Sequence, residues 1–208
     1  MKKKIFRLGL TGPSGAGKSS AAKCFLSMGV PVLSADTIYS DLLSEGGACV
    51  RELRHAFGDG IFKDGQLDRK ALAKIVFSPK GDKKRLLLNS ITHKHVALRT
   101  EQMANELESM GFKYCIIDAP LLIEAGMRRT CDMTVAVLAD TDVRRARIIA
   151  RDSLTEEEAN MRLSKQKDDL FYIANTDKTI YNNEDSSSLL AECKRIADDI
   201  GVLEGVKK

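Results

Sequence analysis

This 208-residue chain contains no tryptophan, and aromatic residues make up only 5% of it. Proteins that hold single-stranded nucleic acid need stacking rings along a basic groove, so this shortage argues against nucleic acid as a partner. The charge balance agrees: 33 Lys and Arg against 29 Asp and Glu leave a formal +4. That suits a small anionic substrate and is too little to argue for a polyanion. Five cysteines (Cys24, Cys49, Cys115, Cys131 and Cys193) form no C-x-x-C pair. Their scatter speaks against a zinc site and a disulfide framework, and it fits a reducing cytosol. No run approaches the ~20 apolar residues of a membrane span, and the apolar stretch behind the N-terminal lysines is too short for a secretory leader. Repeats and low-complexity linkers are also lacking. What is left, 43% hydrophobic and 30% charged, is an ordinary globular composition. We read it as a soluble, cytoplasmic protein with no membrane partner, built as one domain with an insertion.

The chain is organised around Gly12-Pro13-Ser14-Gly15-Ala16-Gly17-Lys18-Ser19, directly behind the apolar run Ile5 to Thr11. The spacing is that of a phosphate-binding P-loop: glycine, four free positions, then Gly-Lys-Ser. Glycines let successive N–H groups turn inward on a di- or triphosphate, and the helix that follows aims its positive end at the same anion. Lys18 can reach the β- and γ-phosphate oxygens, and the Ser19 hydroxyl can ligate Mg²⁺. Ser20 to Leu26 reads as a helix, so the strand–loop–helix context the motif requires is present. This is a nucleotide-phosphate site.

Beyond Gly29, Val30 to Leu33 reads as a short strand with Ser34-Ala35-Asp36 at its carboxyl end, the edge where α/β sheets collect ligands. Asp36 is placed either to act as a base toward an acceptor hydroxyl or to cap the helix from Thr37 to Leu43. Residues 48–112 break the strand–helix alternation. A helix carrying Val50, Leu53 and Phe57 is followed by a turn at Asp64-Gly65 and by a helix from Arg69 to Phe77 capped by Asp68. Two more helices are expected over about 82–90 and 92–110. Such an insertion reads as a substrate-binding subdomain that closes over the loop. His93 and His95, two apart on a helix, face different sides and do not share a metal; a surface or substrate contact suits them better.

Lys113 to Asp118 is a buried strand ending in a carboxylate. Asp118 fits a residue that supports Mg²⁺, or else one that caps a helix at Leu121 to Glu124. Met133 to Leu138 is a further strand. The next helix sets Arg144, Arg147 and Arg151 on one face, either a solvated basic stripe or a lid that neutralises charge on a transferring phosphoryl group. Thr155 to Glu158 is a capping box opening a helix to about Gln166. Lys178 to Tyr181 is a last strand, and Ser186 to Ile200 an amphipathic packing helix.

From Leu8 to Asn182, in matching order, these residues resemble the dephospho-coenzyme A kinase family. The P-loop is shared with many kinases. Ser34-Ala35-Asp36, Phe57-Gly58, Asp64 through Leu72, Val76-Phe77, Asn89 through His93 and Pro120-Leu121-Leu122-Ile123-Glu124 are more specific. Arg147 to Arg151-Asp152, Gln166, Asp177 to Ile180 and Asn182 complete the series. The resemblance implies a P-loop kinase fold of the α/β class, three-layer α/β/α with a parallel sheet, an inserted helical substrate domain and a lid. Its boundaries here would be 1–47 and 113–204 for the core, with the lid at about 144–170, and 48–112 for the helical part.

The implied reaction moves the ATP γ-phosphoryl to the ribose 3′-hydroxyl of dephospho-coenzyme A, the last step of coenzyme A synthesis, with Mg²⁺ as cofactor. By the match, Gly12, Pro13, Ser14, Gly15, Ala16, Gly17, Lys18, Ser19 and Ser20 would bind ATP with Arg147 and Arg151. Asp36, Lys18 and Arg147 would be catalytic. Asp36, Arg69, His93 and Leu121 would meet the acceptor, and Ser19 and Asp118 the metal. A monomer or weak homo-oligomer is expected. The chain departs from the pattern at Ser34, where the family has Asp, at Lys94, where it has Pro, and in the loop, which resembles the nucleoside monophosphate kinase version and keeps such a kinase as the rival. A GTP switch is disfavoured, because neither Asn-Lys-x-Asp nor Asp-x-x-Gly follows a strand.

Overall fold

The expected first strand forms at Phe6–Thr11 (β1) and is buried along nearly its whole length, which its run of apolar and small residues permits. The structure, a computed structural model, describes residues 4–44 and 46–202; residues 1–3, position 45 and 203–208 lie outside, and with them the outer ends of the expected core range. Helix α1 (Lys18–Ser27) follows the loop, and β2 (Val32–Ser34) leads into α2 (Ala35–Ser44). Next come α3 (Ala48–Phe57), the two-residue strands β3 (Phe62–Lys63) and β4 (Gln66–Leu67), α4 (Arg69–Val76) and α5 (Asp82–Ser109). The chain continues through β5 (Tyr114–Asp118), β6 (Met133–Leu138), α6 (Thr141–Asp152), α7 (Glu156–Ser164), α8 (Asp169–Asn175), β7 (Lys178–Tyr181) and α9 (Ser186–Asp199).

The chain divides into two compact units: Ser34–Met103, and the residues before and after it. The larger unit holds a five-stranded sheet in the order β2-β5-β1-β6-β7. β1 pairs in parallel with β5 (Leu8 opposite Ile116) and with β6 (Leu10 opposite Val135), and β6 pairs in parallel with β7. From β1 the chain crosses to the edge strand β2, returns to β5 and then passes over to β6 and β7. The connections leaving β1 and β6 thus go in opposite directions, and the loop at the carboxyl end of β1 sits at the switch point where α/β sheets bind ligands. Alternation along the strands covers both faces. Leu8, Leu10, Val135 and Val137 pack with Phe25 of α1 and with Leu189, Cys193 and Ile196 of α9, while Ala136 and Leu138 pack with Tyr172 of α8. The result is the three-layer α/β arrangement the sequence implied.

The smaller unit has its own core, with Leu43, Cys49, Leu53, Ile61, Leu72, Val76 and Ile91 buried together. Asp68 caps α4 as expected, accepting from Lys70 N and Ala71 N at 2.9 and 3.0 Å. Asp64 and Gly65, both at positive φ, form the two-residue turn of a β3–β4 hairpin.

Some expected elements differ. One continuous helix, α5, stands where two were expected, because the polar stretch near residue 90 does not break it. The hydroxyls of Ser90 and Thr92 donate back to the carbonyls of Leu87 and Leu88, so they are satisfied inside the helix. Leu121 to Glu124 is a series of turns rather than a helix, leading to a short 3-10 segment at Met127–Thr130. Helix α8 was not foreseen.

Candidate active site

The loop after β1 keeps its shape through glycines in the left-handed region: φ is 146° at Gly12, 82° at Gly15 and 97° at Gly17. At Gly17 a side chain is excluded twice, by the backbone angle and because a β-carbon would lie 2.0 Å from Asn182 Nδ2. Gly17 also occupies the cap position of α1, where no side chain caps the helix, so the positive end of α1 is left open to an anion.

Residues from the far end of the chain hold this loop. Asn182, just past β7, is buried and donates Nδ2 to the Ala16 carbonyl at 2.7 Å. Its own carbonyl accepts from Arg147 Nη1 at 2.9 Å, and the same nitrogen reaches the Gly15 carbonyl at 3.5 Å. Gln166 Oε1 accepts from Ser14 N at 2.7 Å and from Arg144 Nη2 at 3.0 Å, while Arg144 Nε donates to the Ser14 carbonyl at 3.2 Å. Arg144 is nearly buried, which lowers the pKa of its guanidinium, and Asp169 at 3.7 Å works in the opposite direction. Arg151 forks onto Asp152 at 2.8 Å and reaches Ser14 Oγ at 3.4 Å. Arg144 and Arg147 thus meet the loop backbone, while Arg151 stays exposed and reaches only the Ser14 hydroxyl.

At the end of the loop Lys18 Nζ donates to Asp118 Oδ1, at the carboxyl end of β5, with both side chains nearly buried. Asp118 does not cap a helix, since none follows it. Alongside Gly12, Pro13 and Ser14 opens a cleft of about 520 Å³, walled by Pro120, Leu121, Leu154, Met161 and Tyr172 with Arg162, Lys165 and Gln166. Burial pushes the Tyr172 phenol up to about 12, with Glu124 adding to the effect.

Asp36, Arg69 and His93 belong to the smaller unit. Asp36 is exposed in the first turn of α2, and it is the Ser34 hydroxyl that accepts from Thr37 N at 3.3 Å. The cap is therefore Ser34, and the helix-cap reading of Asp36 falls away. Arg69 Nη2 ties α4 to α2 by donating to the Ser40 carbonyl at 3.1 Å and to the Ser40 and Ser44 hydroxyls at 3.3 and 3.5 Å. With Asp68, Lys70, Leu43 and Val50 it lines a second cavity, of about 570 Å³. His93 is half-buried in α5. Its neighbours Lys94 and His95 both meet Glu52 of α3, at 2.6 and 2.8 Å, which gives Lys94 a structural role of its own. The sequence assigned no role to Gln166 or Asn182. The signals for them were their places in the family resemblance and, for Asn182, its position at the carboxyl edge of the last strand.

A family model described as dephospho-CoA kinase matches residues 6–188. A curated dephospho-CoA kinase of Corynebacterium glutamicum is 35% identical over 197 residues, 94% of this chain and 98% of that one. That of Moorella thermoacetica is 37% identical over 164 residues, 78% and 76% of the two chains. The chain belongs to the dephospho-CoA kinase family. Enzymes of this family phosphorylate dephospho-CoA with ATP, giving CoA in the last step of its synthesis. Among solved structures, one from Thermus thermophilus superposes with a TM-score of 0.77 at 27% identity, over 95% of this chain and 99% of that one. The dephospho-CoA kinase of Campylobacter jejuni, at 24% identity and a TM-score of 0.66 over 93% and 96% of the two chains, shares the fold. A shikimate kinase of Acinetobacter baumannii shares it more distantly, with a TM-score of 0.50 at 14% identity over 99% and 96%. Among the described residues no helix is long and apolar enough to cross a membrane.

Proposed function

We propose that this member of the dephospho-CoA kinase family transfers the γ-phosphoryl of ATP in line to the ribose 3′-hydroxyl of its acceptor, using the residues the sequence singled out. The observation that carries the reading is the Gly12–Ser19 loop, shaped by left-handed glycines, braced by Asn182, Arg147, Arg144 and Gln166, and ending in Lys18 beside Asp118. Backbone N–H groups at Gly15, Gly17, Lys18 and Ser19 cradle the phosphates, since Pro13 has none and those of Ser14, Ala16 and Ser20 are bonded within the chain, and Lys18 neutralises charge at the β- and γ-oxygens. Arg147 and Arg151 lie along the same loop and supply further positive charge there.

Mg²⁺ fits the donor set. Ser19 is exposed in the first turn of α1 and Asp118 closes β5, one hydroxyl and one carboxylate. Mg²⁺ keeps several waters and takes phosphate oxygens, so it needs no richer protein cage. Among the described residues no three of His, Cys, Asp and Glu gather as a metal cluster. When bound, the ion would offset phosphate charge.

Asp36 is assigned to the acceptor hydroxyl, which it orients or whose proton it takes; its exposure and its release from capping support this role. Arg69, His93 and Leu121 are assigned to the rest of the acceptor. Residues 48–112 serve as the substrate-binding part, 1–47 with 113–204 as the core, and about 144–170 as a lid whose closure excludes water that would otherwise consume ATP.

The deciding experiment supplies Mg²⁺-ATP with dephospho-CoA, CMP, AMP or adenosine and identifies products by mass. CoA forming from dephospho-CoA alone is the expected result. Turnover of CMP or AMP in its place would overturn the acceptor assignment.

A further inference from the structure

The cleft beside Gly12 to Ser14 has walls that phosphate chemistry does not call for. Leu121 is 48% and Met161 53% exposed, although both are large apolar side chains. Together with Leu154 and the buried Tyr172 they line one concavity of about 520 Å³, within the usual size of a small-molecule site. Apolar side chains scattered singly over a surface are ordinary, whereas several converging on one concave wall beside a binding loop mark a ligand surface. Most of its polar side chains already have partners within the chain: Gln166 is occupied by Ser14 N and Arg144, Glu158 by Thr155 and Arg162 by Asp152, while Lys165 is exposed.

Resting on the acceptor reading above, the geometry points to this cleft as the subsite for the pantetheine arm of dephospho-CoA. The arm is a flexible chain with a geminal dimethyl group and two amides. Unbranched and γ-branched side chains such as Met161 and Leu121 mould readily to such a chain. A purine ring would want a flat aromatic face, and the one ring in the cleft is unsuited to that role. Tyr172 is 4% exposed and meets Phe171 edge-on, with centroids 5.4 Å apart and planes at 83°. Position agrees as well. The cleft borders Gly12 to Ser14, and neither Lys18 nor Ser19 lines it. Binding energy from an arm remote from the reacting hydroxyl is well spent on positioning the ribose. It also lets the enzyme discriminate against free nucleotides that carry the same ribose.

The test compares dephospho-CoA with the methyl ester of ADP, which keeps the nucleotide and lacks the arm, in wild-type enzyme and in Met161→Asp and Leu121→Asp variants. The readout is the ratio of kcat/KM for the two acceptors. Wild-type should prefer the full acceptor, and each variant should lower that ratio about tenfold or more, the scale of unburying one large apolar side chain. Equal losses on both acceptors, or an unchanged ratio in both variants, would remove the arm from this cleft. Wild-type enzyme that turned over neither acceptor would instead overturn the acceptor assignment, and this subsite with it.

Discussion

Asn182 Nδ2 lies 2.0 Å from the point where a β-carbon on Gly17 would stand, and it bonds the carbonyl of the preceding Ala16 at 2.7 Å. The last strand thus ends by gripping the loop that follows the first one. A methyl group at Gly17 cannot be accommodated without moving either the loop or Asn182, and φ of 97° adds strain of its own. Gly17→Ala is expected to lower kcat/KM for ATP by about 10²-fold or more, the cost of misplacing reacting groups by roughly 1 Å. Steady-state CoA formation with varied ATP checks it, and wild-type kinetics would show that the loop is not held as tightly as this contact requires.

Ser34 and Asp36, the proposed base, let stability and chemistry be tested separately at the start of α2. The Ser34 hydroxyl caps α2, so Ser34→Ala should cost about 0.5–2 kcal/mol of stability in its unit and leave transfer nearly intact. Asp36→Asn should leave the melting temperature unchanged and slow transfer by about 10²–10⁴-fold, the range for a positioned base. Parallel melts and rate assays decide the matter. A normal rate in Asp36→Asn would withdraw Asp36 from the reaction.

Asp177 gives the larger unit an acid-sensitive joint. Its carboxylate accepts from the Thr134 hydroxyl at 2.6 Å and Thr134 N at 2.7 Å, with Arg128 at 3.2 Å, so its pKa falls below the usual carboxylate value. A depressed folded-state pKa means a contribution that is complete above the unfolded value of about 3.9 and is lost as pH falls toward the folded one. Asp177→Asn should therefore be less stable than wild-type at neutral pH, with the gap narrowing below about pH 4. Urea melts at neutral and acid pH test this, and a gap that does not change with pH would exclude the carboxylate as its source.

The loop was legible in sequence because its glycines obey local backbone rules at fixed spacing. The caps at Asp68 and Thr155 were legible for the same reason, being written within four residues. The sequence suggested two helices, over about 82–90 and 92–110, and it is the bonds from Ser90 and Thr92 to the preceding turn that show one unbroken helix there. Gln166 and Asn182 carried almost no local signal. Their partners, Ser14 and Ala16, lie 152 and 166 residues away, and only the parallel sheet order brings them together. Arg144, Arg147 and Arg151 were visible as a face, but a face alone does not reveal whether it meets water or backbone.

Gln166 joins the end of α7 to the loop, and that makes it a test of coupling between the two. Its Oε1 receives both Ser14 N and Arg144 Nη2, and its Nε2 donates to the Arg162 carbonyl at 3.3 Å. A leucine of similar size removes both acceptor contacts and leaves the Arg144 guanidinium short of a partner in a nearly buried place. Leaving such a group unsatisfied costs about 1–3 kcal/mol, enough to loosen the segment over the loop without unfolding the domain. Closure that excludes water from the phosphates would then be incomplete. Gln166→Leu should accordingly raise ADP formation relative to CoA formation, while Gln166→Glu, which keeps the acceptor oxygens, should stay closer to wild-type. Measuring ADP and CoA from the same reaction gives the ratio directly. Equal ratios in both variants would mean that Gln166 braces the loop without governing access of water to it.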